Sequence, residues 1–110
     1  MQTIKESDWK VFRRLQQTAL ERYCQAILNE AEQLLRTQSQ HSHERYLALF
    51  RLLQKRDKEV ANLFDDMRRS TALLAIAKLK RAGVLTAEEF ALFSPETQFQ
   101  IAVWLGEASH

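Results

Sequence analysis

The sequence predicts an all-α fold: a long antiparallel helical hairpin capped by two short C-terminal helices. Only two Gly and one Pro occur among the 110 residues, and helix interiors exclude both residue types. Over most of the chain, apolar residues recur at steps of three and four, which places them on one face of a helix. Hydrophobic residues make up 45% of the chain, an ordinary value for a single globular domain.

The first helix is predicted over residues 4–37. Thr3 and Glu6 have the spacing of a capping box, and Ser7 followed by Asp8 is a second N-cap candidate. An apolar stripe at the helical period then comprises Phe12, Leu15, Ala19, Tyr23, Ile27, Ala31 and Leu34. The polar stretch TQSQHSH interrupts the stripe, which predicts the turn of the hairpin.

The second helix is predicted over residues 43–82, with Ser42 as its N-cap. Its apolar residues follow alternating steps of four and three, as in a heptad repeat: Tyr46, Phe50, Leu53, Val60, Phe64, Met67 and Leu74. An unbroken helix of this length would extend for about 60 Å. Either the helix bends near Ser70–Thr71, or the molecule is elongated.

An elongated hairpin exposes a long apolar flank, and the simplest cover is a second copy of the chain. We therefore expect a homodimer that resembles a four-helix bundle. The expected interface on the second helix comprises Phe50, Leu53, Asp57, Val60, Phe64 and Met67.

Asp57 is the one charged residue in this interface set, and burial of a carboxylate is costly unless it is paired. It lies either at the edge of the stripe near Arg56 or against an arginine of the first helix. The first-helix candidates are Arg13, Arg14 and Arg22. Its alternative role is to set the register of a helix–helix contact.

The C-terminal third contains the clearest local signals. In TALLAIAKL the apolar residues surround the helix axis, which predicts burial on every side. Gly83 suits the left-handed position that ends a helix, and Thr86 with Glu89 forms a capping box. Ser94 and Pro95 suit the start of a last helix that ends at Gly106. The two short helices are predicted over residues 86–92 and 95–105. An exposed apolar patch that binds a further protein partner is expected near Phe93, Phe99 and Trp104.

Residues 73–90, LLAIAKLKRAGVLTAEEF, resemble the first part of the short bacterial C-terminal domains called SHOCT. The shared pattern is a Leu-rich helix, Gly, two apolar residues, Thr, two residues, Glu and Phe. After Phe90 this chain continues with ALFSPET, where those domains usually continue with basic residues. The resemblance implies a bacterial source and a role in interaction or oligomerisation rather than in catalysis.

Charge is distributed unevenly along the chain. Residues 43–83 contain ten bases and five acids, whereas residues 84–110 contain four Glu and no Lys or Arg. These two regions attract each other within one chain or between chains. On a continuous second helix, one basic stripe would comprise Arg51, Lys55, Lys58, Arg69 and Lys80.

The basic stripe has two interpretations. The favoured one is a solvated face, on which Asp65 and Asp66 pair with Arg69. The alternative is weak, sequence-independent binding of nucleic acid through Arg51, Lys55, Lys58 and Arg69. Carboxylates beside the stripe disfavour tight binding of nucleic acid. A helix-turn-helix is rejected, because the last helical segment, PETQFQIAVWLG, carries no Lys or Arg.

No catalytic residues, metal or cofactor are expected. Two isolated glycines cannot form a phosphate-binding loop, and His41 with His43 offers too few ligands for a tetrahedral metal site. The single Cys24 fits a small apolar side chain in a reducing, cytoplasmic setting. The start of the sequence carries no secretory signal, and the run ALLAIA is too short to cross a membrane. We expect a non-enzymatic module that dimerises and docks on another protein.

Overall fold

The computed structural model describes residues 4–36 and 41–107, and within these ranges all regular structure is helical. In chain order the elements are α1 (Glu6–Leu35), α2 (Ser42–Phe64), one turn of 3₁₀ helix (Arg69–Thr71), α3 (Ala72–Arg81), α4 (Ala87–Phe90) and α5 (Pro95–Trp104). The predicted all-α hairpin with short C-terminal helices is confirmed. Thr3, which belongs to one of the predicted caps, lies outside the described residues.

The hairpin of α1 and α2 extends well beyond the rest of the molecule. The described chain measures 53 × 26 × 22 Å, with a radius of gyration of 17.2 Å. A compact chain of this length would have a radius of gyration of about 13 Å. We call residues 20–36 and 41–63 the arm, and the remaining described residues the head. No residue of the arm is buried, so all of the fully buried core lies in the head.

The predicted second helix over residues 43–82 is interrupted rather than continuous. α2 ends at Phe64 and α3 begins at Ala72, so the interruption starts before the expected bend at Ser70–Thr71. The Phe64 carbonyl accepts a buried hydrogen bond of 3.0 Å from the Gln16 amide instead of continuing the helical ladder. Arg69 turns back to the start of α1, where it donates to the Ile4 carbonyl at 3.0 Å.

The core of the head forms around α3. Its fully buried apolar residues come from α1, the end of α2, α3 and the C-terminal segment: Ile4, Phe12, Leu15, Ala19, Phe64, Ala72, Leu73, Ala75, Ile76, Ala77, Leu79, Val84, Phe93 and Ile101. Burial of α3 on nearly every side is as the sequence predicts. The exception is Leu74, which is 51% exposed.

Asp8 joins the start of α1 to the start of α5. Its carboxylate accepts hydrogen bonds of 2.7 Å from the Ser94 backbone N–H, the Ser94 hydroxyl and the Thr97 hydroxyl. The side chain is 1% exposed. Burial alone would raise the Asp8 pKa, but these hydrogen bonds hold the pKa below its ordinary value of 3.8. Ser7 and Asp8 lie inside α1, and the N-cap position is occupied by Lys5, so their predicted role as the cap of α1 is wrong.

The local signals in the C-terminal third are confirmed. Gly83 has φ +74°, and the Val84 N–H bonds to the Leu79 carbonyl at 3.0 Å, as in a Schellman motif. The Thr86 side chain accepts from the Glu89 N–H while the Glu89 carboxylate accepts from the Thr86 N–H, which completes the capping box. At α5, the Ser94 hydroxyl accepts from the Thr97 N–H and Pro95 occupies the first turn.

Arg22 fastens α4 to α1. Its guanidinium donates two hydrogen bonds of 2.9 Å to the Glu89 carboxylate and one of 2.5 Å to the Val84 carbonyl. Hydrogen bonds from Arg22 and, to a smaller extent, from the Thr86 N–H lower the Glu89 pKa from 4.5 to about 2.

Two other acids of the C-terminal region also pair within the chain. Glu96 pairs with Lys5, and Glu107 pairs with Lys80 at 2.5 Å. The expected attraction of the acidic C-terminal region is therefore satisfied inside one chain. Of the three cations that pair with these acids, Arg22 lies on α1 and Lys5 at its N-cap. Only Lys80 belongs to the basic region of residues 43–83.

We predict that Asp8→Asn lowers the free energy of unfolding by about 2–3 kcal/mol, because the amide cannot accept all three hydrogen bonds. Urea denaturation at neutral pH measures this loss. The contribution of Asp8 is present above its unfolded pKa, near 3.8, and is lost as the pH falls through the lowered pKa of the folded state. Glu96→Gln, an exposed change at the same helix start, is the control and should lower the stability far less. Equal losses for the two variants would contradict the role of Asp8.

We predict that acid destabilises the wild type more than it destabilises Glu89→Gln. A lowered pKa means that Glu89 contributes stability above its ordinary value of 4.5 and loses it as the pH falls toward about 2. The expected contribution is about 1 kcal/mol, since the Arg22 side chain is 40% exposed and water screens the pair. Urea midpoints between these two pH values measure it. Glu88→Gln, at an exposed neighbour, should follow the wild type, and coincident profiles for all three proteins would refute the assignment.

Candidate interaction surface

In the arm, α1 carries apolar residues on a second side, because Leu28 and Leu35 lie off the stripe that runs from Phe12 to Leu34. In the head, Leu15 is buried at 8% exposure, whereas in the arm Leu28 is 59% exposed. At 100° per residue, Leu28 points about 140° away from Leu15 around the helix axis. Leu28 and Leu35 therefore face away from the side of α1 that the head covers, and both remain exposed.

An apolar groove runs between α1 and α2 on this open side of the arm. It has a volume of about 540 Å³ and is lined by Cys24, Ile27, Leu28, Phe50, Leu53, Gln54, Arg56, Asp57 and Val60. Large apolar side chains in the arm remain well exposed: Leu28 59%, Leu35 40%, Tyr46 63%, Phe50 44% and Leu53 44%. Together they present on the order of 500 Å² of apolar surface, as much as the largest patch on a typical monomer.

The interface residues predicted from the sequence divide into two groups. Phe50, Leu53, Asp57 and Val60 line the groove. Phe64 is 7% exposed and belongs to the core of the head, and Met67 is half-buried against that core. These two residues are therefore removed from the interface, because the break after α2 turns them toward their own chain.

Asp57 lies exposed at the rim of the groove, so its carboxylate remains in contact with water. Within the described ranges it forms no ion pair, since Arg22 binds Glu89 and Arg56 binds two glutamates. Of the two predicted placements, the edge of the stripe near Arg56 agrees with the structure, whereas a pairing with an arginine of α1 is absent from the described ion pairs. Its register-setting role requires a partner helix and stays a prediction.

A polar clasp holds α1 and α2 together, and its central residue, Arg56, also lines the groove. Arg56 donates to the Glu30 carboxylate at 2.9 Å and to the Glu59 carboxylate at 2.8 Å. The Tyr23 hydroxyl donates to Glu59 at 2.8 Å. Hydrogen bonds from Tyr23 and, to a smaller extent, from Arg56 lower the Glu59 pKa. The hydrogen bonds that Arg56 donates to Glu30 and Glu59 raise the Arg56 pKa. The clasp fixes the spacing of the two helices, so the groove exists without a partner.

The expected C-terminal partner patch does not form one surface. Phe93 is 3% exposed and belongs to the core, whereas Phe99 is 52% and Trp104 is 49% exposed. Five residues separate Phe99 from Trp104, so they point about 140° apart around α5. The placement of Phe93 in an exposed patch is wrong, and the other two are separate exposed side chains.

The basic stripe is shorter than the sequence predicts. Arg51, Lys55 and Lys58 are exposed on α2. Arg69 instead bonds to the Ile4 carbonyl and to Glu6, because the end of α2 removes it from their helix. The predicted pairs of Asp65 and Asp66 with Arg69 are also absent from the described ion pairs, and Asp66 binds Arg68 at 2.8 Å.

The rest of the described chain offers no cluster with metal-binding or membrane-spanning character. Among residues 4–36 and 41–107, no group of three or more His, Cys, Asp or Glu side chains is placed to hold a metal ion. No helix in these ranges is long and apolar enough to cross a membrane. Compared with models of known protein families, with curated proteins and with solved structures, the chain has no match.

We predict that Arg56→Ala loosens the arm, because it removes the hydrogen bonds that join α1 to α2 through Glu30 and Glu59. The expected result is about fivefold faster amide exchange in the arm. Hydrogen exchange read by mass spectrometry measures it, and the amides of the head should be unchanged. Arg51→Ala removes an unpaired arginine from the same helix and should leave exchange in the arm unaltered. Acceleration by both variants would argue against the clasp.

Proposed function

We propose that this protein is a non-enzymatic interaction module that forms a homodimer through the groove of the arm. The observation that carries the proposal is the burial pattern: the arm contains no buried residue, yet it exposes five large apolar side chains on one hairpin. Two helices alone cannot enclose an apolar stripe, and a second pair of helices is the usual solution. Two arms packed face to face would form a four-helix bundle.

The size of the exposed surface supports a second copy as the occupant. On the order of 500 Å² of apolar surface from each chain gives about 1,000 Å² in a symmetric contact before polar groups are added. This total lies at the lower bound of about 1,000 Å² for a biological interface, and polar groups add to it. In a two-fold dimer the same patch is used twice, so one groove satisfies both chains.

The charges beside the groove also favour pairing of two copies. Glu21 and Glu32 lie at helical spacing to Leu28 on the outer edge of α1, and Arg51 and Lys58 lie on the outer edge of α2. When α1 of one copy lies against α2 of the other, the acidic edge meets the basic edge. Such self-complementary charge steers association and disfavours the wrong register.

We propose further that the two arms are antiparallel. Lys10 and Leu28 are separated by 18 residues, or about five helical turns, so they lie on the same side of α1. A parallel pair would bring Lys10, Arg13 and Arg14 of one copy against the same cations of the other. An antiparallel pair places these clusters at opposite ends of the dimer, where they do not repel each other.

The setting that we propose is a bacterial cytoplasm, in which the dimer docks on another protein. The single cysteine favours a reducing compartment, and the SHOCT-like segment favours a bacterial source. Nucleic-acid binding is the weaker alternative, since only Arg51, Lys55 and Lys58 remain of its four proposed contacts.

We predict that the wild-type protein has a mass of twice 12.9 kDa at tens of micromolar in light scattering on a size-exclusion column. The double variant Leu28→Glu, Phe50→Glu should have a mass of 12.9 kDa, because pairing would bury two charges in an apolar contact. Since both side chains are exposed in the single chain, the variant should keep the helical circular dichroism of the head.

The matched control is Leu92→Glu, a change at an exposed leucine of the head (57% exposed) outside the groove. It should leave the dimer intact. A wild-type mass of 12.9 kDa at these concentrations would refute the homodimer. Dissociation by Leu92→Glu equal to that of the double variant would refute the location of the interface.

A further inference from the structure

Three cations near the start of α1 have no counter-ion. Lys10, Arg13 and Arg14 are exposed, and none of them forms an ion pair within the described ranges. They surround an open concavity of about 640 Å³ whose other lining residues are Gln17 and Met67. The site therefore combines three positive charges, one amide and one apolar thioether.

The carboxylates close to this cluster along the sequence are already engaged. Glu6 binds Arg69 at 2.6 Å, and Asp8 is buried against Ser94 and Thr97. Three of the four glutamates in the C-terminal region are paired as well. The cations that join the elements of the fold are thus paired with acids, whereas Lys10, Arg13 and Arg14 form no ion pair within the described ranges.

We propose that this cluster is a docking site for a carboxylate-rich segment of another protein, separate from the groove and independent of dimerisation. Lys10, Arg13 and Arg14 stand at i, i+3 and i+4, so neighbouring Cβ atoms are about 6 Å apart. The planar guanidinium of an arginine matches a carboxylate with two parallel hydrogen bonds. Met67 supplies an adaptable apolar contact for a side chain between the acids.

The shape and lining of the site favour a peptide over nucleic acid. Proteins that track a nucleic acid backbone use a long basic groove, and they stack bases on aromatic rings. Here the cations cover little more than one helical turn, and none of the five lining residues is aromatic. Phosphate backbones also offer nothing apolar to Met67, whereas an acidic peptide with interspersed leucines does.

The test uses the full chain and a fluorescein-labelled probe peptide of about 12 residues, in which glutamates alternate with leucines. Fluorescence anisotropy should show saturable binding that weakens as salt is added. The triple variant Lys10→Glu, Arg13→Glu, Arg14→Glu should weaken binding by at least about tenfold. If this variant loses its helical circular dichroism, Arg13→Gln with Arg14→Gln replaces it, and a loss of at least about threefold is expected.

The matched control reverses the same number of charges elsewhere, in Arg51→Glu, Lys55→Glu, Lys58→Glu on α2. It should change binding of the peptide by less than about twofold, apart from the weak effect of net charge. The proposal is overturned if the peptide does not bind saturably, or if both triple variants weaken binding equally. It is overturned in favour of nucleic acid if single-stranded DNA of similar charge binds more tightly than the peptide and the α1 variant abolishes that binding.

Discussion

The head depends on the buried carboxylate of Asp8. A charged group that is 1% exposed is tolerated because three donors from the start of α5 surround it. The negative charge also lies at the positive end of the α5 dipole, where it is favourable. This contact places α5 over α3, and the residues it encloses, Ile76 and Ile101, have no exposed surface. One polar contact thus fixes the direction from which the C-terminal segment covers the core.

The side of α1 that the head covers has a consequence for the whole hairpin. Because α5 binds at Asp8, the head covers the face of α1 that carries Phe12 and Leu15. Leu28 and Leu35 lie on the other side of α1 and stay exposed. The groove in the arm is therefore open because the head covers the opposite side of α1. The clasp around Arg56 maintains the spacing of the two helices that form the groove.

The sequence predicted the features that depend on neighbouring residues and missed those that depend on distant ones. The capping box of Thr86 and Glu89 and the left-handed Gly83 lie within a few residues of their partners, so local patterns sufficed. Asp8 looked like a local cap because its true partners lie more than 80 residues away. The end of α2 carries no Gly or Pro, and distant hydrogen bonds from Gln16 and Arg69 accompany it. Phe50, Leu53 and Val60 lie together along the groove because they follow a heptad, whereas Phe64 enters the core because the end of α2 redirects it.

The distribution of charge links the fold to the proposed interactions. Arginines with long-range partners, such as Arg22, Arg56 and Arg69, lie where elements meet, and each neutralises an acid that the packing of two elements brings close. Within the described ranges, exposed cations that form no ion pair include Lys10, Arg13 and Arg14 near the start of α1, and Arg51, Lys55 and Lys58 on α2. An unpaired cation costs little in water and contributes nothing to folding, so the packing of the head does not account for the cluster on α1. The proposed binding of an acidic segment accounts for it, and the proposed antiparallel dimer would place this cluster at its two ends.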